Sequence, residues 1–176
     1  MSQPAARYQR STGGMVGAMI VLVVLVLSWV GLRALTSHDP GTPVRSVDYR
    51  LSVPAARRAA DFRVLAPSRL PAGWRATTVG YRDRPTQHWH LGVLTDRDRY
   101  VGLEQGDVSV PRAVSRFVDP AASRGPSVSV AGRTWGSWTD SGGDLALVRR
   151  AGRTTTLVVG HDVPRGTLAS YAASLR

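Results

Sequence analysis

The chain has 176 residues, a formal net charge of +11 and no cysteine. Without cysteine it forms no disulfide, no thiolate metal site and no lipid-modified cysteine anchor. All 23 basic side chains are arginine, and the sequence has no zinc-finger spacing, RNP-like aromatic motif or basic recognition helix, so we expect no nucleic-acid partner.

The first element in the chain is an apolar segment from Met15 to Leu32 that contains no charged residue. As a helix it would be roughly 27 Å long, which matches the hydrocarbon core of a bilayer. Trp29 and Arg33 lie near its distal end, where an indole and a snorkelling guanidinium suit the membrane interface. We therefore predict a short tail over 1–14, a single transmembrane helix over 15–35 that begins at Met15, and membrane lipid as a partner.

The apolar segment could instead be a cleaved secretory signal, but it is longer than the roughly 7–15 apolar residues of such signals. No small-x-small cleavage site follows it. Arginines are nearly balanced on its two sides, so the positive-inside rule does not decide the orientation. A short tail before a large C-terminal domain favours a cytoplasmic N-terminus and an extracytoplasmic domain. We predict a plasma-membrane protein whose further partner is an envelope protein or a cell-wall polymer.

Residues 36–43 contain two prolines and a glycine, which interrupt a helix and predict a tether. The rest of the chain, 44–176, is long enough for one hydrophobic core, so we predict a single domain there. Alternating apolar residues over Val47–Val53 predict a half-buried strand, and good helix formers predict a helix over Pro54–Ala60. The proline-bounded stretch Phe62–Pro71 predicts an irregular linker.

Three strands separated by short polar turns are predicted next, and they favour an antiparallel meander. They extend over Arg75–Tyr81, Trp89–Thr95 and Arg99–Gln105. After them, apolar residues at helical spacing predict a short helix with one apolar face over 110–118.

The C-terminal third of the chain predicts two hairpins and a helix. The first hairpin covers Val128–Thr139, and the second pairs Leu145–Arg149 with Thr154–Val159. Apolar residues from Leu168 to Leu175 repeat at helical spacing. The predicted fold class is therefore α+β, with a mostly antiparallel sheet of roughly six to eight strands and two or three short helices.

His88 and His90 form the first candidate site, because alternate residues of a strand project from the same face. Two imidazoles on one face can contact a ligand or respond to pH, but two ligands do not make a structural zinc site and no metal is predicted. Glu104 is the only glutamate in the chain, and we expect it to be exposed or ion-paired. These three side chains and neighbouring arginines are the predicted ligand-binding surface.

Two tryptophans suggest a second surface. Trp135 and Trp138 are three residues apart and face opposite sides of a strand, so one is predicted in the core and the other at the surface. An exposed indole near Arg133 and Arg149 would form a stacking platform for a sugar or a peptide. Arg133 and Arg149 are therefore further ligand-binding candidates.

No G-x-G-x-x-G motif, P-loop or G-x-S-x-G elbow is present, so we predict no cofactor and no catalytic residue. The leading hypothesis is a membrane-anchored extracytoplasmic module that binds or scaffolds envelope components and is not an enzyme. One alternative is a metal-dependent or carboxylate-based envelope hydrolase, in which His88 and His90 converge with Glu104, Asp96 or His161. The other is a cytoplasmic, membrane-tethered binder of an acidic partner.

Five segments of the chain carry a family resemblance: RYQRSTGGMVGAM, PVRSVDYRLSV, ADFRVLAPSRLPAGWRAT, HWHLGVLTDRDRYVGLEQ and LASYAASL. They resemble an actinobacterial family of membrane-anchored proteins, domain of unknown function 4245. The resemblance extends from Arg7 to Leu175 and implies an envelope-anchored domain, but it supplies no catalytic residue. The order of elements is more weakly similar to that of extracytoplasmic sensor domains of anti-sigma factors, which is a likeness of layout and not of function.

Overall fold

The computed structural model describes Met19, 22–24, Val26 and 45–176. The tail, the tether and most of the predicted transmembrane helix, including Met15, Trp29 and Arg33, lie outside the described residues. Met19, 22–24 and Val26 are all helical. Within the part of the chain that is described, no helix is both long and apolar enough to cross a membrane.

Residues 45–176 form one seven-stranded sheet in which every neighbouring pair of strands is antiparallel. The strands are β1 (Arg75–Arg82), β2 (His88–Leu94), β3 (Tyr100–Gly106), β4 (Ser123–Val130), β5 (Arg133–Thr139), β6 (Asp144–Ala151) and β7 (Thr154–His161). Three α-helices accompany the sheet: α1 (Val53–Ala59), α2 (Val110–Phe117) and α3 (Arg165–Ala173). The α+β class and the mostly antiparallel sheet are confirmed.

The sheet consists of two meanders that meet in its centre. Its strand order is β1-β2-β3-β7-β6-β5-β4, so the first meander (β1 to β3) joins the second (β4 to β7) through the pairing of β3 with β7. The connection from β3 to β4 must therefore cross from the centre of the sheet to its far edge. Helix α2 lies on this crossover and packs on β6 and β7.

Face A of the sheet, which carries Trp89, Leu91, Leu103 and Val158, holds the larger hydrophobic core. Helices α1 and α3 and the linker before β1 cover this face, because their buried apolar residues belong to the same cluster. The Trp89 indole N–H donates to the Leu65 carbonyl at 3.0 Å. The linker is irregular as predicted, and it is held by side-chain packing and by hydrogen bonds of this kind.

Face B carries His90, Glu104, Leu157 and Val148, and α2 covers part of it. The apolar contacts on this side form a second, smaller cluster that joins α2 to β6 and β7. Its buried members are Ala113, Val114, Ala146, Val148, Leu157 and Val159. The helix predicted over 110–118 is confirmed, and its apolar side packs on the sheet.

The strand predicted over Val47–Val53 is wrong. Tyr49–Leu51 is a 3-10 turn that leads into α1, and Leu51 is 80% exposed although Tyr49 is buried. The Asp48 carboxylate accepts a hydrogen bond from the backbone N–H of Arg50, which closes the turn locally. Short aspartate side chains compete with strand pairing in this way, and an alternating pattern does not reveal that competition.

Strand β4 begins five residues earlier than the hairpin predicted from Val128. Its first half contains Pro126, and the register shifts between Gly125 and Val128. Because β4 is the edge of the sheet, a proline beside an irregularity removes no essential ladder bond. Because proline disfavours strands, the sequence pattern did not predict the first half of β4.

A pair of glycines supports an aromatic ring on face B. Gly92 and Gly102 are direct neighbours on β2 and β3, and the Tyr100 ring lies over both of them. A methyl group on Gly92 would lie 2.3 Å from the Thr78 hydroxyl oxygen and 3.0 Å from the Tyr100 ring. This part of the sheet therefore has no room for a side chain at position 92.

We expect Gly92→Ala to lower the free energy of unfolding by about 2 kcal/mol, because overpacking forces Thr78 and Tyr100 to move. Gly80→Ala is the matched control, since it is on the same face and a methyl group there meets nothing within 4 Å. That control should be neutral or stabilising by up to about 1 kcal/mol. Urea unfolding of the full chain, followed by near-UV circular dichroism, measures both, and equal effects would contradict this packing.

Candidate functional site

The predicted residues His88, His90 and Glu104 meet on face B. His88 and His90 are two residues apart on β2, and Glu104 on β3 is the direct cross-strand neighbour of His90. Both histidines therefore face one carboxylate, which lies between them. Glu104 is only 6% exposed, so the expectation of a surface position is wrong, and its close partners are the two histidines and not an arginine.

The three side chains form a short, ordered row of polar contacts. Nδ1 of His90 is 2.6 Å from Oε1 of Glu104, and Nε2 of His88 is 2.7 Å from Oε2. On the far side, Nε2 of His90 is 2.8 Å from the Thr78 hydroxyl. An ionised carboxylate only accepts hydrogen bonds, so Nδ1 of His90 carries a proton toward Glu104. Nε2 of His88 is close to the carboxylate, but the two atoms lack the alignment of a hydrogen bond.

Burial and pairing act in opposite directions on this carboxylate. Burial raises the pKa of Glu104, but the ring nitrogens of His88 and His90 that face its oxygens outweigh burial and leave the pKa below its usual value. The carboxylate is therefore ionised at neutral pH, and the groups that face its oxygens are imidazoles instead of guanidiniums. Such a pair is strongly destabilising to break, because the remaining charge would be buried without a partner.

Two aromatic rings lie beside the row formed by His88, Glu104 and His90. The ring of Phe117, at the end of α2, stacks on His88 at 5.3 Å with an interplanar angle of 4°. On the other side of the row, burial and the nearby charge of Glu104 raise the pKa of Tyr100 to about 12, so its phenol stays neutral. The row is therefore held between α2 and the Tyr100 ring.

The alternative partners proposed for these histidines are elsewhere. His161 Nδ1 pairs with Asp144 Oδ1 at 2.9 Å, and the β-carbon of Asp96 packs beside Gly73. No group of three or more histidine, cysteine, aspartate or glutamate residues in the described part of the chain has the geometry of a metal site. The polar atoms of the row contact one another, so its chemistry is that of a buried, internally paired charge.

The predicted residues Arg133 and Arg149 line a different feature, an open cleft of about 620 Å³ on face A. Arg133 begins β5 and Arg149 lies near the end of β6. Arg63, from the linker before β1, joins them. We refer to this feature, lined by Arg63, Arg133, Arg149, Gln105 and Thr156 among others, as the arginine cleft.

The predicted stacking platform is not formed as described. Trp135 is 3% exposed and lies in the core of face A, so it offers no surface to a ligand. Trp138 is half-buried on face B, and the guanidinium above its ring, at 5.6 Å, belongs to Arg124. The opposite placement of the two indoles is confirmed, but neither forms an exposed platform with Arg133 and Arg149.

Sequence analysis missed three residues of the arginine cleft. Gln105 is 2% exposed, accepts a hydrogen bond from the Leu65 backbone N–H at 2.7 Å and donates to the Thr156 hydroxyl at 3.0 Å. Arg63 enters from the linker. The signal available in the sequence was Gln105, a polar residue at the end of an otherwise apolar strand face. Its partners Leu65 and Thr156 could not be read from the sequence, because tertiary packing brings them together.

The chain belongs to the protein family of unknown function DUF4245, whose family model matches residues 7–175. This confirms the resemblance drawn from the sequence segments. No curated protein matches the chain at a significant level.

We expect Glu104→Gln to lower the free energy of unfolding by about 2–3 kcal/mol at neutral pH, because it removes the buried charge that pairs both histidines. The folded pKa of Glu104 lies below the ordinary value of 4.5, so its contribution is complete above that pH and is lost as the pH falls through the folded pKa. The difference between wild type and variant should therefore shrink below about pH 4.5.

Urea unfolding of the full chain at a series of pH values measures this difference. Asp96→Asn is the control, because it neutralises an exposed carboxylate and should change stability by less than about 0.5 kcal/mol. A wild-type to Glu104→Gln difference that stays constant down to pH 3 would contradict an ionised, paired carboxylate.

Proposed function

We propose that this member of DUF4245 is a single-pass membrane protein of the cell envelope whose extracytoplasmic domain binds or scaffolds another envelope component without catalysing a reaction. The observation that carries the proposal is the arginine cleft, an open concavity of about 620 Å³ with several cationic side chains. Clefts of this size are typical of ligand sites.

The apolar segment supports the membrane anchor. It has no charged residue from Met15 to Leu32, and the described residues Met19, 22–24 and Val26 are helical and between 49% and 66% exposed. Exposed apolar side chains on a helix are stable when lipid surrounds them. A retained, lipid-embedded helix satisfies this requirement.

The contrast between the two polar sites supports binding over catalysis. The face B row pairs its own charges, with Glu104 only 6% exposed beneath its neighbours. A general acid or base must reach its substrate directly or through one water. The arginine cleft is open and cationic, but arginine does not exchange protons at physiological pH. It is suited to holding an anionic group.

A basic domain near the membrane has a further electrostatic advantage. Each arginine close to anionic headgroups contributes on the order of 1 kcal/mol of attraction. Residues 45–176 carry 20 arginines and 11 acidic side chains, a net charge of +9, which favours a position close to a membrane surface or a polyanionic wall polymer. This supports an envelope partner over a freely diffusing neutral one.

Reporter fusions after Arg176 test the anchor and the orientation together. We expect an externally active reporter to give signal, a cytoplasm-dependent reporter to stay silent, and both fusions to sediment with membranes. Val24→Arg combined with Val26→Arg should release the protein from membranes or block insertion, because each buried guanidinium costs about 2.5–3.5 kcal/mol at the helix centre.

Val24→Leu with Val26→Leu is the matched control and should leave retention unchanged, since both residues stay apolar. A cytoplasmic reporter signal would contradict the extracytoplasmic domain and favour the cytoplasmic binder. A soluble wild-type fusion would contradict the anchor.

A further inference from the structure

We infer that the arginine cleft is a binding site for a phosphate group carried by an organic ligand. This inference deepens the proposed function and rests on it only for the source of that phosphate. The supporting observations are three unpaired guanidiniums, a buried polar floor and an apolar wall.

Three arginines of the cleft have guanidiniums without a partner among the described residues. Arg63, Arg133 and Arg149 come from three separate elements, and within the described part of the chain none of their side chains makes a hydrogen bond or an ion pair. Arg153, at the rim, is instead paired with Asp107. The positive charge of the cleft is therefore available to a ligand.

Acidic side chains do little to compensate this charge. Among the described residues that line the cleft, Asp61 is the one with a carboxylate side chain, and it already accepts a hydrogen bond from the Gln87 amide. Arg176 brings a carboxyl group together with a guanidinium, and its main-chain oxygen accepts a hydrogen bond from Arg57 at 2.7 Å. A concave wall of low dielectric constant concentrates the field of the arginines inside it. The excess of positive charge therefore favours an anion of charge greater than one.

The floor of the cleft is a fixed polar surface. Gln105 and Thr156 are direct neighbours on β3 and β7 and are 2% and 6% exposed. The Thr156 hydroxyl accepts from the Gln105 amide at 3.0 Å, so its own hydrogen remains to be donated. Arg149 is the next residue in this row, opposite Thr156 on β6. A hydroxyl donor and a guanidinium thus lie side by side at the base.

The donors fit phosphate better than carboxylate. Each guanidinium can donate two parallel hydrogen bonds to one oxyanion, so three arginines offer more donors than the two oxygens of a carboxylate can use. A phosphate monoester has three terminal acceptor oxygens and a charge between one and two. It uses the available donors more completely.

The remaining walls indicate that the phosphate has an organic carrier. Phe62, Leu65 and Leu175 line the cleft, and its volume of about 620 Å³ exceeds what bare phosphate fills. The apolar wall provides contact for a carbon chain or a sugar ring. Phosphatidic acid in a membrane and the terminal phosphate monoester of a polymer or a small sugar both present such a group.

The test uses the full chain in zwitterionic detergent micelles, titrated with glycerol 1-phosphate at constant ionic strength by calorimetry. We expect saturable binding, and Arg133→Gln with Arg149→Gln should weaken it by at least about tenfold, because two charge-assisted contacts are lost. Arg97→Gln with Arg112→Gln is the matched control, since it removes the same charge from exposed positions outside the cleft. It should change the affinity by less than about twofold.

Absence of saturable binding, or equal weakening by the two double variants, would overturn the phosphate site. Neither of these binding results would change the reporter signals or the membrane retention. The reporter fusions therefore test the proposed function independently of the phosphate site. Near-UV circular dichroism of both double variants confirms that they keep the fold.

A second arm identifies the source of the phosphate. In nanodiscs that contain phosphatidic acid, a lipid headgroup in the cleft would compete with glycerol 1-phosphate, and the apparent affinity for glycerol 1-phosphate would fall relative to phosphatidylcholine discs. Unchanged affinity between the two discs would instead assign the phosphate to a soluble or polymer-borne ligand. Either result supports the phosphate site.

Discussion

The pairing of β3 with β7 is the interaction on which the rest of the domain depends. It joins the two meanders into one sheet, and without it each meander would expose an apolar edge. Successive residues of a strand face opposite sides, so Glu104 projects to face B and Gln105 to face A. One central strand therefore places the buried charge of one site and the polar floor of the other within two consecutive residues.

The two faces of the sheet differ in how they hold charged side chains. On face B, the Glu104 carboxylate is buried, and ring nitrogens of His88 and His90 lie against its oxygens. Phe117 of α2 stacks on His88. A buried guanidinium has five N–H donors that all need acceptors, which is more than the two oxygens of one glutamate can satisfy. On face A, the apolar core ends at Gln105 and Thr156, and the arginines beyond them remain in contact with water. The sheet thus separates a buried cluster whose polar groups contact one another from an open cationic cleft.

Much of the fold was predictable from local patterns, because strands with one buried face alternate strictly. The meander, the second hairpin and α2 follow from such patterns, as does the shared face of His88 and His90. The contact between His90 and Glu104 was not predictable, because it requires the register across the turn between β2 and β3. The pattern gave wrong predictions at Asp48 and Pro126. Asp48 closes a turn through its side chain, and Pro126 lies in an edge strand where its missing N–H costs no ladder bond; the hydrophobic pattern shows neither.

Composition alone does not account for the arginine cleft. An arginine-rich chain distributes guanidiniums over its whole surface, and several of them find carboxylates, as Arg75 does with Asp98 and Arg99 with Asp162. Unpaired arginines on a convex surface are screened by water and salt within about 10 Å. Arg63, Arg133 and Arg149 differ because three separate elements bring them to one concavity. Their mutual repulsion is lowest when an anion lies between them, and because these three guanidiniums pair with no carboxylate of the described residues, the cleft favours a bound oxyanion.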